Sequence, residues 1–158
     1  MNLPQPFVML LIGPPLSGKT TWIRNNFPTT KVISRDEILM EVFGSRDYTT
    51  AFNTVDQKEV DRLLDQRLKE ASFSQENIII DMTNMTSKRR KQNLSYFTDN
   101  YYKIATTFPI ISDDEYKSRN LKRIEQENKD LPLHIVKRMI SSYQPISKDE
   151  GFNEIISL

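Results

Sequence analysis

The sequence predicts a three-layer α/β fold, in which a central parallel sheet of about five strands carries helices on both faces. Short apolar runs alternate with longer segments of helical periodicity along the whole chain. The runs at 7–12 and 78–80 are apolar throughout, which is typical of a parallel strand that is buried on both faces. Strands that alternate with helices imply right-handed crossover connections within one sheet.

The elements follow from these patterns in chain order. Strands are predicted at 7–12, 31–34, 77–81 and 102–108, and a final strand is a candidate at 154–156. The first helix should end at residue 27, because Pro28 cannot continue it. The second helix begins near Arg35 and is closed by Gly44. A polar loop is expected at 45–50, and further helices are expected at 51–71, from Thr86 or Ser87 onward, at 113–129 and at 132–143.

Length and composition limit the class of protein. The 158 residues are expected to form a single domain, with a net charge of +1 and 27% charged residues. This near-neutral balance argues against a protein that holds nucleic acid by charge alone. The chain has no cysteine, so disulfides and cysteine-zinc sites are excluded. No signal peptide and no membrane-length apolar run is apparent, and a cytoplasmic location is expected.

The segment after the first strand carries the strongest motif. It reads G-P-P-L-S-G-K-T and fits G-x-x-x-x-G-K-[ST], the phosphate-binding loop (P-loop), between a predicted strand and a predicted helix. Backbone N–H groups of such a loop cradle phosphates, while Lys19 should reach the β- and γ-phosphates of ATP and the Thr20 hydroxyl should bind Mg²⁺. The predicted ATP-binding residues are Gly13, Pro14, Pro15, Leu16, Ser17, Gly18, Lys19, Thr20 and Thr21.

Two motifs of guanine-nucleotide switches are missing. Neither Gly44 nor Gly151 has Asp three residues before it, so the sequence contains no D-x-x-G downstream of the P-loop. The nearest match to N-K-x-D is Asn128-Lys129-Asp130-Leu131, which ends in leucine. A small phosphotransferase is therefore the favoured class.

Two acidic residues follow predicted strands, at the edge of a parallel sheet where ligands bind. Asp36 could accept the proton of an attacking hydroxyl group, or it could serve only as a helix N-cap. Asp81 ends an Ile-Ile-Ile-Asp segment, which resembles the Walker B pattern that helps to hold Mg²⁺. The alternative for Asp81 is a structural hydrogen bond to the next loop.

Two further basic groups have both a functional and a structural interpretation. Arg119 and Arg123 are four residues apart and share one helical face, which could aim both at phosphates or simply be solvated. The basic run Lys88 to Lys91 could contact a polynucleotide backbone, but a solvated helix face is favoured.

The order of these motifs resembles the 5′-kinase domain of polynucleotide kinases. The resemblance rests on the P-loop, Ser34-Arg35-Asp36, Asp81-Met82-Thr83-Asn84 with Arg89 behind it, Arg119-Asn120-x-x-Arg123, Pro132 and Glu150-Gly151-Phe152. It implies transfer of the γ-phosphate of ATP, with Mg²⁺, to the 5′-hydroxyl end of DNA or RNA. It also implies a helical lid at about 113–131.

The resemblance assigns roles to individual residues. Asp36 falls on the general base of the family, Lys19 and Thr20 on its phosphate and Mg²⁺ ligands, and Asp81 is a further candidate metal ligand. Arg123 falls on the lid arginine that stabilises the transferring phosphoryl group, with Arg119 beside it on the nucleotide. The predicted acceptor-binding residues are Asp36, Thr83, Asn84 and Arg89.

The sequence departs from the family pattern in two places. Leu39 stands where the phage enzyme has an arginine that contacts the acceptor's phosphate, and Arg46 or Arg89 could substitute for it. No D-x-D-G-T motif is present, so kinase activity is expected without a phosphatase domain. Two alternatives stay open: a kinase of a small hydroxylated metabolite, nucleoside or antibiotic, and a nucleotide-binding module without catalysis.

Overall fold

The computed structural model describes residues 1–158 and contains a five-stranded sheet. The strands are β1 (Phe7–Ile12), β2 (Lys31–Ile33), β3 (Ile78–Ile80), β4 (Tyr102–Thr107) and β5 (Glu154–Ser157). They are all parallel and lie in the order β2-β3-β1-β4-β5. The predicted fold class is confirmed, and so is the final strand.

Seven α-helices connect and follow these strands. Their bounds are α1 (Lys19–Asn26), α2 (Arg35–Phe43), α3 (Tyr48–Thr54), α4 (Gln57–Ser74), α5 (Ser87–Leu94), α6 (Asp113–Glu127) and α7 (Leu133–Ser141). A short 3₁₀ turn, Lys148–Glu150, precedes β5. None of the helices has both the length and the apolar character that crossing a membrane requires.

The sheet separates two apolar layers because successive side chains of a strand point to opposite faces. On one face, Val8 and Leu10 of β1 pack with residues of α2, α3, α4 and α5. On the other face, Met9 and Leu11 pack with Ile23 of α1 and with its C-cap residue Phe27. The all-apolar β1 is therefore explained by burial of every residue in the strand.

One predicted helix is in fact two. The expected loop at 45–50 and helix at 51–71 are replaced by α3 and α4, which are separated at Val55 and Asp56. Asp47 caps α3 by accepting a hydrogen bond from Thr50 N at 3.1 Å, and Asp56 caps α4 by accepting one from Lys58 N at 3.0 Å. The apolar spacing continues across the break, so periodicity alone did not reveal the second start signal.

The parallel arrangement brings three loops to one edge of the sheet. The P-loop follows β1, Asp36 lies one residue into the helix after β2, and Asp81 directly follows β3. Because β1 pairs with β3 and β3 pairs with β2, these three positions are neighbours across the carboxyl ends of the strands.

Candidate active site

The P-loop is packed tightly against the loop after β3 and the end of β4. Gly13 N donates a hydrogen bond to Thr83 O at 3.0 Å. A Cβ atom on Gly13 would lie only 3.0 Å from both Phe108 Cβ and Ser17 Oγ, so a larger residue would displace the loop. Gly18 has a φ of 97°, a left-handed conformation that favours glycine. Gly13 is thus favoured because Phe108 and Ser17 lie close to it, and Gly18 is favoured because of its backbone conformation.

Lys19 is folded back onto the loop that carries it. Its ammonium group donates hydrogen bonds to Gly13 O at 2.9 Å and Pro14 O at 2.7 Å, and its side chain is buried. Burial lowers the pKa of Lys19 to about 8, against the raising effect of the Asp81 charge. The ammonium is therefore desolvated and held by two backbone carbonyl groups. A bound polyphosphate would place negative charge next to it.

A hydroxyl and a carboxylate meet beside this lysine. Thr20 Oγ1 donates to Asp81 Oδ2 at 3.5 Å. Burial raises the pKa of Asp81, while the nearby charge of Lys19 lowers it. An oxygen pair of this kind fits Mg²⁺, which is usually held by one or two protein oxygens, substrate phosphates and water. Asp81 makes this contact rather than the hydrogen bond to the next loop that was considered as the alternative.

Asp36 is not the cap of its helix. Ser34 caps α2 by accepting a hydrogen bond from Glu37 N at 3.4 Å, and Asp36 is the second residue of the helix. The N-cap alternative is therefore wrong, because the serine two residues earlier fills that position. The side chain of Asp36 instead lines the cleft in front of the P-loop and accepts a hydrogen bond from Lys129 Nζ at 2.6 Å.

Lys129 is a site residue that no sequence motif identified. It follows α6, is only 7% exposed, and places its ammonium 4.3 Å from the centroid of the Tyr48 ring. Burial and the adjacent Asp36 charge raise the pKa of Tyr48. The sequence showed Lys129 only as a mismatch to a guanine-binding motif, and its partner is 93 residues away.

Both arginines of α6 face the cleft. Arg119 Nη1 donates to Leu16 O at 2.8 Å, which ties this helix directly to the P-loop backbone. Arg123 Nη1 donates to Glu127 Oε2 at 3.1 Å. Beside the larger effect of burial, the positive charge of Arg123 acts to lower the pKa of both Lys19 and Asp81. Both side chains thus line the cleft, the position that an interaction with phosphates requires, while each also pairs with an acidic residue of its own helix.

Arg46 also lines the cleft but is already engaged. Its guanidinium forms two hydrogen bonds with Glu37, each of 3.0 Å, and another with Glu127. Because Glu127 also binds Arg123, one carboxylate links the end of α6 to the segment after α2.

The cleft as a whole is large and cationic. It has a volume of about 1100 Å³ and runs from the P-loop past Asp36 to α6. Seven basic side chains line it against four acidic ones, although the chain as a whole carries a net charge of only +1. The basic ones are Lys19, Arg24, Arg46, Arg119, Lys122, Arg123 and Lys129.

The predicted acceptor residues do not all reach this cleft. Thr83 lines it. Asn84 is completely buried, and its amide group donates to Leu11 O at 2.8 Å while its side-chain oxygen accepts from Asn93 at 2.8 Å. With its side chain so used, Asn84 holds the loop after β3 in place. Arg89 lies on a separate depression of about 280 Å³ between α4 and α5, away from Asp36.

The basic run at the start of α5 also contains a buried residue. Arg90 is fully buried and forms a salt bridge with the equally buried side chain of Glu150, with Nε 2.7 Å from Oε1. It also donates to the carbonyls of Asn84 at 3.0 Å and Gln144 at 2.8 Å. The expected solvated face therefore does not extend to Arg90, which connects the loop after β3 to the segment before β5.

Comparison with solved structures finds several chains with a similar fold. Kti12 from Chaetomium thermophilum, in complex with ADP-AlF3, is 16% identical with a TM-score of 0.66, over 96% of this chain and 88% of that one. A gluconokinase from Sinorhizobium meliloti 1021 is 10% identical with a TM-score of 0.56, over 99% and 83%. The Pnkp1/Rnl/Hen1 complex gives 18% and 0.56, over 74% of this chain and 40% of that one.

At these identities the structural matches show the fold alone. The sequence itself matches the model of a protein family, described as an AAA domain (AAA_33), over residues 8–146. This match covers the P-loop, Asp36, Asp81, both arginines of α6 and Lys129. The chain therefore belongs to this AAA domain family, whose members have a kinase-like, nucleotide-binding P-loop fold.

Proposed function

We propose that the protein is an ATP- and Mg²⁺-dependent kinase that transfers the γ-phosphoryl group to the 5′-hydroxyl end of a polynucleotide, DNA or RNA. The observation that carries the proposal is the position of Asp36. Its carboxylate lies on the same cleft as the P-loop. Beside the larger effect of burial, its negative charge acts to raise the pKa of both Lys19 and Asp81. A protein that only binds a nucleotide would not need a carboxylate at this position.

Each element of the cleft has a role in this reaction. The P-loop backbone and Lys19 would bind the β- and γ-phosphates, and Thr20 with Asp81 would hold Mg²⁺, which when bound offsets phosphate charge. Asp36 takes the proton of the acceptor hydroxyl as its oxygen attacks the γ-phosphorus. Arg123 stabilises the charge on the transferring group, and Arg119 binds the nucleotide beside the P-loop. Residues 113–131, which include α6, would serve as the lid.

A polynucleotide acceptor is supported by charge and by the ordered motifs of the sequence. The excess of basic side chains along the cleft suits a polyanionic ligand as well as ATP. The R-D, T-N and R-N-x-x-R motifs occur in the order found in polynucleotide kinases, and the Pnkp1 complex is among the structural matches. Thr83, at the rim of the cleft, is the residue proposed to contact the acceptor.

A small hydroxylated metabolite is the second candidate acceptor, and one observation favours it. Leu39 is completely buried, so its position cannot contact an acceptor phosphate. Of the two proposed substitutes, Arg89 lies on another depression, and Arg46 would have to give up its pairs with Glu37 and Glu127. The gluconokinase among the structural matches acts on a small molecule of this kind, as its name states.

The test offers labelled ATP and Mg²⁺ to the protein with 5′-hydroxyl DNA, 5′-hydroxyl RNA, and a panel of nucleosides, sugars and sugar acids. Labelling of a polynucleotide end supports the first proposal, and labelling of a small molecule alone supports the second. If no acceptor is labelled, both proposals are wrong.

The Asp36→Asn variant tests the proposed base. It should bind ATP normally and lose about 10²–10⁴-fold in kcat. Asparagine is preferred to alanine here because its side-chain oxygen can still accept the hydrogen bond from Lys129. The exposed Asp99→Asn is the matched control and should keep full activity. Normal turnover of Asp36→Asn would remove Asp36 from the mechanism.

A further inference from the structure

The salt bridge between Lys129 and Asp36 joins a mostly buried cation to a more exposed anion. The side chain of Lys129 is 9% exposed and that of Asp36 is 44% exposed. A buried ammonium is unfavourable unless it is paired, so the lysine depends on Asp36. The carboxylate, in contrast, has one oxygen bound to Lys129 and much of its remaining surface open to the cleft.

The backbone before Lys129 is fixed to α3 rather than free. Asn128 Nδ2 donates to Asp47 Oδ1 at 2.8 Å, and Asn128 O accepts from Thr49 N at 3.3 Å. Asn128 also ends α6 with a φ of 48°, a left-handed conformation that asparagine tolerates. Lys129 therefore extends from a defined turn, with the ring of Tyr48 beneath its ammonium.

We propose that Lys129 is a positioning residue for Asp36, an inference that rests on the proposed function. Its ammonium donates to Oδ2 at 2.6 Å and holds the carboxylate in one orientation at the edge of the cleft.

The reaction balances through these atoms. The acceptor hydroxyl donates its proton to the Asp36 carboxylate, and the electron pair of its oxygen forms the new bond to the γ-phosphorus. The bond from the γ-phosphorus to the bridging oxygen breaks, and ADP leaves with that electron pair. Lys129 neither gains nor loses a proton in this step.

Four ionisable groups from four different segments lie near Asp36. Lys129 follows α6, Tyr48 begins α3, Lys19 begins α1 and Asp81 follows β3. Among them, Lys129 is the one joined to Asp36 by a salt bridge. Replacement of Lys129 should therefore disturb the orientation of the Asp36 carboxylate more than replacement of another lysine on α6.

The experiment compares Lys129→Met, Lys129→Arg and the control Lys117→Met, which removes an exposed lysine from α6. In the unliganded protein, the chemical shift and line width of the Asp36 carboxyl carbon are measured by NMR at one fixed pH, a readout that needs no acceptor. In Lys129→Met this resonance should move away from its wild-type chemical shift and broaden, because the carboxylate loses the donor that holds Oδ2. Lys129→Arg and Lys117→Met should resemble the wild type.

Kinetics then test whether the effect passes through Asp36. Lys129→Met should lower kcat by about 10- to 100-fold, with the KM for ATP little changed. Lys129→Arg should restore most of the activity. In an Asp36→Asn background the Lys129→Met substitution should have almost no further effect on kcat.

Two outcomes would overturn the proposal while leaving the kinase function intact. One is an unchanged Asp36 carboxyl resonance in Lys129→Met. The other is a full additional loss of kcat in the Asp36→Asn background, which would mean that Lys129 acts directly on the phosphates. Failure of the wild type to label any acceptor would instead refute the proposed function, and the role of Lys129 in positioning a base with it.

Discussion

Thr20 and Asp81 lie 61 positions apart in the chain, yet Thr20 Oγ1 is 3.5 Å from Asp81 Oδ2. The hydroxyl comes from the start of α1 and the carboxylate from the end of β3, and the pairing of β1 with β3 places these ends side by side. The pair thus offers two oxygen ligands directly beside the Lys19 ammonium, where the phosphates of a nucleotide are expected.

From this pair we predict a defect in metal use for Asp81→Asn. Loss of one anionic oxygen should raise the Mg²⁺ concentration needed for half-maximal activity by about 10-fold or more, with a smaller effect at saturating Mg²⁺. A titration of activity against Mg²⁺ measures this, with the exposed Asp99→Asn as the control. Identical Mg²⁺ curves for Asp81→Asn and the wild type would mean that Asp81 is not a ligand.

Lys19 predicts a distinct dependence of stability on pH. Burial lowers its pKa from 10.5 to about 8 in the folded protein, so between these values the unfolded chain binds more protons. The free energy of unfolding should therefore rise with pH across this window, by up to about 3 kcal/mol from this group. Lys19→Met should lack this component and should also lose phosphoryl transfer.

Urea unfolding of the wild type and of Lys19→Met at several pH values between about 7.5 and 10 measures the difference in their free energies of unfolding. Other lysines and tyrosines titrate in the same range, but they contribute equally to the wild type and to Lys19→Met. The difference between the two curves therefore isolates Lys19. Parallel curves would show that the ammonium is not desolvated in the unliganded protein.

The two arginines of α6 predict opposite kinetic defects. Arg123→Ala should lower kcat by about 10³-fold or more and change ATP affinity little, because its charge is needed most in the transition state. Arg119 contacts the P-loop backbone at Leu16, so Arg119→Ala should mainly raise the KM for ATP. Steady-state kinetics of both variants decide this, with Lys117→Ala as the control. Weakened ATP binding with normal kcat in Arg123→Ala would make Arg123 a ground-state ligand.

The buried pair of Arg90 and Glu150 predicts a large loss of stability on single substitution. Arg90→Met leaves the Glu150 carboxylate without its partner in a fully buried site, at a cost of about 3–5 kcal/mol. The adjacent Lys91 forms only an exposed pair with Asp149, so Lys91→Met should cost less than about 1 kcal/mol. Chemical denaturation measures both, and similar losses for the two variants would contradict this assignment.

Much of the fold was predictable because its signals are local. The apolar strands, the P-loop between β1 and α1, and the closing strand β5 all follow from short patterns read in order. The division into α3 and α4 was missed because the apolar period continues through the break. The start of each helix depends instead on a capping side chain: Asp47 accepts a backbone N–H at the start of α3, and Asp56 does so at the start of α4.

The candidate site was predictable in its chemistry but less so in its geometry. The P-loop residues, Asp36, Asp81 and the arginines of α6 were proposed from the sequence, and the structure places all of them except Gly13 and Pro14 on the lining of one cleft. Asn84 and Arg89 were grouped with the acceptor site, but one is buried in a hydrogen-bond network and the other faces a different depression. Their neighbours in the sequence gave no information about the direction of their side chains.

The sequence by itself determined the parallel α/β architecture, the phosphate-binding loop and the positions of the acidic residues at the ends of strands. Each of these depends on backbone preferences and periodicities that act within a few residues. Only the tertiary structure decided that Lys129 contacts Asp36 across 93 positions, that Arg90 is buried against Glu150, and that Leu39 is removed from the cleft. These outcomes depend on the pairing of charges and the exclusion of water between distant segments, which a local pattern does not encode.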